Sequence, residues 1–217
     1  MVRLFGEYGA FLTEARAAFQ TVGAVAPSGR FLARAMAHPL RTSRNGPASV
    51  LEVGPGTGAI TREIVRYIRT DDRFDLVELS TAFAETLWRR FQNEHRFRQV
   101  RTQSRIINMS VQDLAADRDH AYDCVVCGLP FNNFPPELVH SLFERMCRLA
   151  RPGGVISFFE YLWIRDLKRP FVSTDERNRL GRVADVIAGY LDRFEFRRDL
   201  VPINLPPAVV HHLRIGG

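Results

Sequence analysis

Lysine is all but missing from this 217-residue chain: Lys168 is the only lysine among 30 basic residues, and the rest are arginines. Cysteine is scarce as well. Three cysteines cannot build a disulfide framework, and Cys124 and Cys127, although spaced as C-x-x-C, have no second pair to complete a zinc site. On an extended strand over 122–127 they point to opposite faces, so both are expected as small buried hydrophobes. No run of about 18 apolar residues is present, which argues against a spanning helix. The apolar stretch near the amino end is broken by Arg3, Glu7, Glu14 and Arg16, unlike the core of a signal peptide. These absences predict a cytoplasmic protein with reduced thiols. Repeats and low-complexity tracts are absent too.

The formal charge is +6, and residues 1–46 hold six basic side chains against two acidic ones. Phosphates, on nucleic acid or on an anionic lipid surface, are the natural partner of such a segment. Leu4, Phe5, Tyr8, Phe11, Leu12, Ala15, Phe19 and Val22 recur at three- and four-residue steps, giving an amphipathic helix with a broad aromatic face. That face can pack on the rest of the protein or lie on a membrane. Ser28 can cap a following helix over 29–38. Residues 1–46 are therefore expected as an amino-terminal helical extension and 47–217 as one α/β domain.

The most informative stretch is Val50-Leu51-Glu52-Val53-Gly54-Pro55-Gly56-Thr57-Gly58, an apolar strand running through three alternating glycines toward a helix. Glycines at 54, 56 and 58 let a ligand touch the main chain, and the helix start presents N–H groups to an anion. Glu52 adds a negative charge that a pyrophosphate would not use but the ammonium of an amino-acid moiety would. That combination points to S-adenosylmethionine. Gly54, Gly56 and Ala59 also fit the dinucleotide pattern G-x-G-x-x-A, and Glu78, ending the strand 74–78 beside Leu79, suits the ribose of either cofactor. After the third strand, Asp113 is expected to accept from an adenine amine and Leu114 to cover the ring.

Strands near 48–53, 74–78, 104–109, 122–127 and 154–161 alternate with helices near 58–69, 80–95, 136–150 and 175–192. This βαβ rhythm forces parallel pairing with ligands at the carboxyl ends of the strands. Two extended segments, 194–201 and 208–215, flank a proline-rich turn and make a terminal antiparallel hairpin. The expected fold is a seven-stranded Rossmann-like α/β methyltransferase sheet rather than the six parallel strands of nicotinamide enzymes.

Strand four runs into Gly128-Leu129-Pro130-Phe131-Asn132-Asn133-Phe134-Pro135, a proline-aromatic corner of the kind amine methyltransferases place beside the transferred methyl group. Adenine-methylating enzymes begin that corner with Asn or Asp. Gly128 leaves only the carbonyls of Gly128 and Leu129 as acceptors, which suits a flexible aliphatic amine. Tyr161, at the end of strand five, is a candidate to orient the amine or relay its proton. Phe131, Phe134 and Trp163 are candidates to wall a methylated ammonium by cation–π contact. Arg30, Arg165, Lys168 and Arg169 could hold a headgroup phosphate. His140 reads as a surface residue, and His211 and His212, facing opposite ways on the last strand, do not make a metal pair.

In VGAVAPSGRFLARAM (22–36), LEVGPGTGAITREI (51–64), CGLPFNNFP (127–135), LARPGGVISFFEY (149–161) and NLPPAVVHHL (204–213), the chain resembles the bacterial phospholipid N-methyltransferases. The resemblance implies stepwise methylation of phosphatidylethanolamine to phosphatidylcholine, S-adenosylmethionine as cofactor, and peripheral attachment to the cytoplasmic membrane through the amino-terminal helix. Family members commonly carry paired serines where this chain has Ser28-Gly29, so Ser28 stands alone. Another lipid amine such as an ornithine headgroup, an RNA adenine or a small molecule are the rival substrates. Gly128 and the lack of an added nucleic-acid domain speak against nucleic acid as a partner.

Overall fold

Short apolar runs separated by amphipathic helices can pair only in parallel, through crossovers. The structure, a computed structural model, describes residues 29–41, 46–162, 174–204 and 206–216. Strands β1 (Ser49–Val53), β2 (Arg73–Val77), β3 (Ser104–Ile107), β4 (Tyr122–Cys127) and β5 (Ala150–Tyr161) run parallel. Strands β6 (Glu195–Val201) and β7 (Ala208–Arg214) form the hairpin, and β7 docks antiparallel on β5. The spatial order is β3-β2-β1-β4-β5-β7-β6, the expected seven-stranded sheet. The expected helix over residues 1–22, Ser28, Trp163, Arg165, Lys168 and Arg169 lie outside the described residues.

Each face of the sheet buries its own core. On one side, α6 (Pro136–Leu149) and α7 (Thr174–Phe194) press Leu138, Leu142, Phe143, Met146, Val183 and Ile187 against Leu51, Val53, Val125 and Phe158. The spacing of the α6 residues is a helical stripe, and Pro136 opens that helix where its missing N–H costs no bond. The other face is covered by α1 (Gly29–Met36), α2 (His38–Arg41), α3 (Thr61–Ile64), α4 (Thr81–Asn93) and α5 (His95–Gln99), with Met36, Leu40, Ile64, Leu87, Phe91 and Phe97 against Val50, Phe74, Leu76 and Val126. Cys127 belongs to the first core and Cys124 to the second, so the two thiols are buried on opposite faces.

Three elements differ from the expectation. The helix expected over 58–69 is regular only at α3, because i→i+3 bonds such as Glu63 N–H to Ile60 O (2.9 Å) and Tyr67 N–H to Ile64 O (2.9 Å) tighten its flanks into turns. The helix expected over 80–95 breaks at Glu94, whose ψ of 128° is extended, and restarts as α5. Strand β5 begins at Ala150 rather than near 154. Its pairing with β4 shifts register after Tyr122, at a stretch where Gly153 has φ +79° and a Cβ on Gly154 would stand 2.8 Å from the Arg151 carbonyl.

Candidate active site

The strand order reverses between β1 and β4: the chain runs outward from β1 to β3 and then returns to β4 on the other side of β1. Loops leaving the carboxyl ends of these two strands therefore diverge and open a crevice. The glycine loop leaves β1 there. Gly54, Gly56 and Gly58 adopt φ of 67°, 60° and 84°, a region that side chains with a Cβ avoid. At Gly58 space adds to the restriction, since a Cβ would lie 2.9 Å from Arg90 Nη1 and 3.0 Å from Leu87 Cδ2.

Glu78 braces this loop from the end of β2. It is 1% exposed, and its Oε2 accepts from Gly56 N–H at 2.8 Å while Oε1 accepts from Ser80 N–H at 3.0 Å. These two bonds fix the carboxylate's orientation at the loop. Beside Glu78 lies a cleft lined by Val53, Gly54, Leu79, Met109, Val111 and Leu129 among others. Positive-φ glycines, a buried carboxylate at the neighbouring strand tip and an apolar wall fit an adenosyl amino acid.

The adenine-side residues differ from those expected. Ser110 and Val111 line the cavity, whereas Asp113 is exposed and Leu114 packs into the core. A 3₁₀ turn over Val111–Asp113, capped by Ser110, rotates Val111 inward and Asp113 out. Arg145 then fixes the segment by donating to Leu114 O at 2.7 Å. Glu52 is wholly buried on β1, outside the cavity lining.

The corner after β4 approaches the glycine loop directly. Gly128 N–H donates to Val53 O at 2.8 Å, and a Cβ on Gly128 would stand 2.8 Å from Gly54 O. Leu129 faces the cavity, but Pro130 is buried and Phe131 and Phe134 are core residues. Phe131 packs on Phe143 and Phe158 at centroid distances of 4.7 and 5.6 Å, so neither aromatic ring is presented to an ammonium. Tyr161 also departs from its expected place. Alternation along β5 puts Ile156 and Phe158 in the core beneath the β4 corner and Phe159 and Tyr161 on the opposite face. Burial pushes its phenol well above the ordinary tyrosine range, only partly opposed by its hydrogen bond to Asn204, so a phenolate relay is disfavoured. Arg30 is exposed on α1, with its guanidinium over the Phe31 ring.

Two arginines absent from the sequence expectations hold the site together. Arg90 on α4 donates through Nη1 to the carbonyls of Thr57 and Gly58, and its guanidinium is fixed by Glu94 at 2.6 and 3.0 Å. Arg179 on α7 donates to Phe134 O at 2.6 Å and Asn132 O at 2.8 Å, and is itself gripped by both oxygens of Glu176 at 2.7 Å. Their only sequence signal is the spacing of an ordinary surface ion pair.

Comparison with known proteins gives the family. Residues 50–154 match a family model described as a methyltransferase domain. The chain is 32% identical over 148 residues to the ornithine lipid N-methyltransferase of Singulisphaera acidiphila, covering 66% of this chain and 72% of that protein. It is 25% identical to ribosomal RNA small subunit methyltransferase A of Marinobacter nauticus, covering 74% of this chain but only 52% of that longer protein. Among solved structures, the O-methyltransferase TomG of Streptomyces achromogenes, involved in tomaymycin synthesis and in complex with SAM, superposes with a TM-score of 0.64 at 16% identity. That likeness covers 95% of this chain and 90% of TomG. The chain belongs to the class I S-adenosylmethionine-dependent methyltransferases. It is an enzyme of that class, with S-adenosylmethionine as its cofactor.

Proposed function

We propose that this enzyme transfers methyl groups to the primary amine of phosphatidylethanolamine, stepwise toward phosphatidylcholine, at a membrane surface. The observation that carries the reading is the contact between Gly128 and Gly54. It leaves no room for a side chain where adenine-methylating enzymes place Asn or Asp, so the corner offers an acceptor only main-chain carbonyls, suited to a flexible aliphatic amine. The 32% identical relative is named for methylating a lipid, which supports a lipid amine as the class of acceptor.

S-adenosylmethionine, held by Gly54, Gly56, Gly58, Glu78 and Leu79, supplies an electrophilic methyl group. The chain's own work is positioning, which alone can account for much of a methyl-transfer rate. Carbonyls of Gly128 and Leu129 orient the amine N–H groups, and Arg179 holds the corner that presents them. An amine resembling lysine, with a pKa near 10.4, costs about 5 kcal/mol to deprotonate at neutral pH, and desolvation in the crevice lowers that cost.

The test is incubation of the purified protein with labelled methyl donor and vesicles containing phosphatidylethanolamine, ornithine lipid and phosphatidylglycerol, with mass spectrometry of each headgroup. A gain of one to three methyl groups on phosphatidylethanolamine is expected. Label only on ornithine lipid, or only on added ribosomal RNA, overturns the substrate.

A further inference from the structure

Strand register places the tip of the terminal hairpin at the cofactor end of the sheet. Tyr161, the last residue of β5, pairs with Ala208, the first of β7, and Ala208 pairs with Val201, the last of β6. Since β5 runs parallel to β4, the turn between β6 and β7 leaves the sheet on the same end as the β4 corner and the glycine loop. At that tip, Leu200 and Ile203 are each 67% exposed, the most exposed large hydrophobic side chains among the described residues.

Hydrogen bonds brace the turn that follows β6. Asn204, 4% exposed, donates from its backbone to Val201 O at 3.2 Å and from Nδ2 to Pro206 O at 2.7 Å, and its side chain also bonds Tyr161. Leu162 N–H donates to Pro207 O at 2.7 Å, tying the turn to the end of β5. Pro202, Pro206 and Pro207 restrict the backbone further. A single exposed leucine needs no explanation. Two large aliphatic side chains, Leu200 at the end of β6 and Ile203 on the braced turn that follows, form a surface shaped to meet an apolar medium at the mouth end of the enzyme.

We propose that Leu200 and Ile203 form an apolar wedge that enters the boundary between headgroups and acyl chains of a bilayer and sets the cavity mouth against the lipid. The inference rests on the lipid-amine reading of the site. A second copy of the chain is the poorer occupant, because two side chains fall far short of the roughly 800 Å² per partner that a stable protein interface buries. Charge favours an anionic bilayer: the chain carries +6, and the sequence directly after Leu162 holds Arg165, Lys168 and Arg169 against Asp166.

The experiment compares the wild type with the double variant Leu200→Ser/Ile203→Ser in the full chain. Sedimentation with vesicles of phosphatidylethanolamine and phosphatidylglycerol is expected to show at least tenfold weaker binding, with vesicle turnover reduced to match. Turnover of a short-chain phosphatidylethanolamine dispersed as monomers stays unchanged, which separates lost docking from a damaged site. In a single Leu200→Trp variant, the added emission shifts to the blue when vesicles are supplied. Unchanged vesicle binding by the double variant, or emission from Leu200→Trp that ignores vesicles, overturns the wedge. Absence of methyl transfer by the wild type to either form of the lipid, with vesicle binding still lost in the double variant, overturns the substrate reading and leaves the wedge standing.

Discussion

A Cβ placed on Gly128 would stand 2.8 Å from the carbonyl oxygen of Gly54. The glycine loop and the β4 corner are therefore in main-chain contact, and each fixes the position of the other. Gly128→Ala must push them apart, at a cost of about 1–3 kcal/mol if the strain is taken up locally. Calorimetry is expected to show S-adenosylmethionine binding weakened tenfold or more, with the far-ultraviolet spectrum preserved. Wild-type affinity in Gly128→Ala would show that the contact is not under constraint.

The two arginine clamps predict separable defects. Each donates to two carbonyls, and hydrogen bonds made by charged groups contribute about 1.5–3 kcal/mol. Arg90→Ala loosens the glycine loop, so cofactor affinity should fall about tenfold or more. Arg179→Ala loosens the β4 corner, so turnover should fall by a similar factor while cofactor affinity holds. Calorimetry beside steady-state kinetics checks the split, and identical defects in both variants would refute it.

The glycine loop, Glu78 and the hairpin were legible because each is a local device with its own residue chemistry: glycine where φ is positive, an acid at a strand tip, prolines at a turn. What escaped depends on rotation or partnership across the fold. Spacing finds the segment after β3 but not that a serine-capped turn swings Val111 inward and Asp113 outward. Aromatic content marks the corner but cannot tell a wall from a core, and Phe131 and Phe134 went to the core. Tyr161 was recoverable, since strand alternation against Phe158 and Phe159 already decides its face. Arg90 and Arg179 were hidden because their partners are carbonyls 33 and 45 residues away.

Glu78 joins the end of β2 to the loop of β1 through Gly56 N–H. Glu78→Gln keeps the shape, but its amide offers a single acceptor oxygen and cannot serve both Gly56 and Ser80 as the carboxylate does. Cofactor affinity should drop by about 1–3 kcal/mol, the usual cost of leaving a buried donor unsatisfied. Glu78→Ala should lose more. Equal affinities for wild type and Glu78→Gln, measured by titration with adenosylhomocysteine, would remove Glu78 from the site.

His212 makes stability depend on pH. Its ring lies fully buried between Ser157 Oγ at 2.8 Å and Asp199 Oδ2 at 3.2 Å, with His38 at a centroid distance of 5.8 Å. Burial lowers its pKa from 6.5 to about 4, outweighing the Asp199 bond that raises it, while His38 and Arg197 push the same way as burial. The native imidazole thus stays neutral where the unfolded one takes up a proton. Between about pH 6.5 and 4 the unfolded state binds more protons, so stability falls as pH is lowered through that window and this contribution levels off below it. The full shift corresponds to roughly 3 kcal/mol. Urea unfolding of the wild type and His212→Gln from pH 7.5 to 4 should show the wild type losing stability more steeply. Parallel curves would mean that the buried ring titrates in the fold as it does in the unfolded chain.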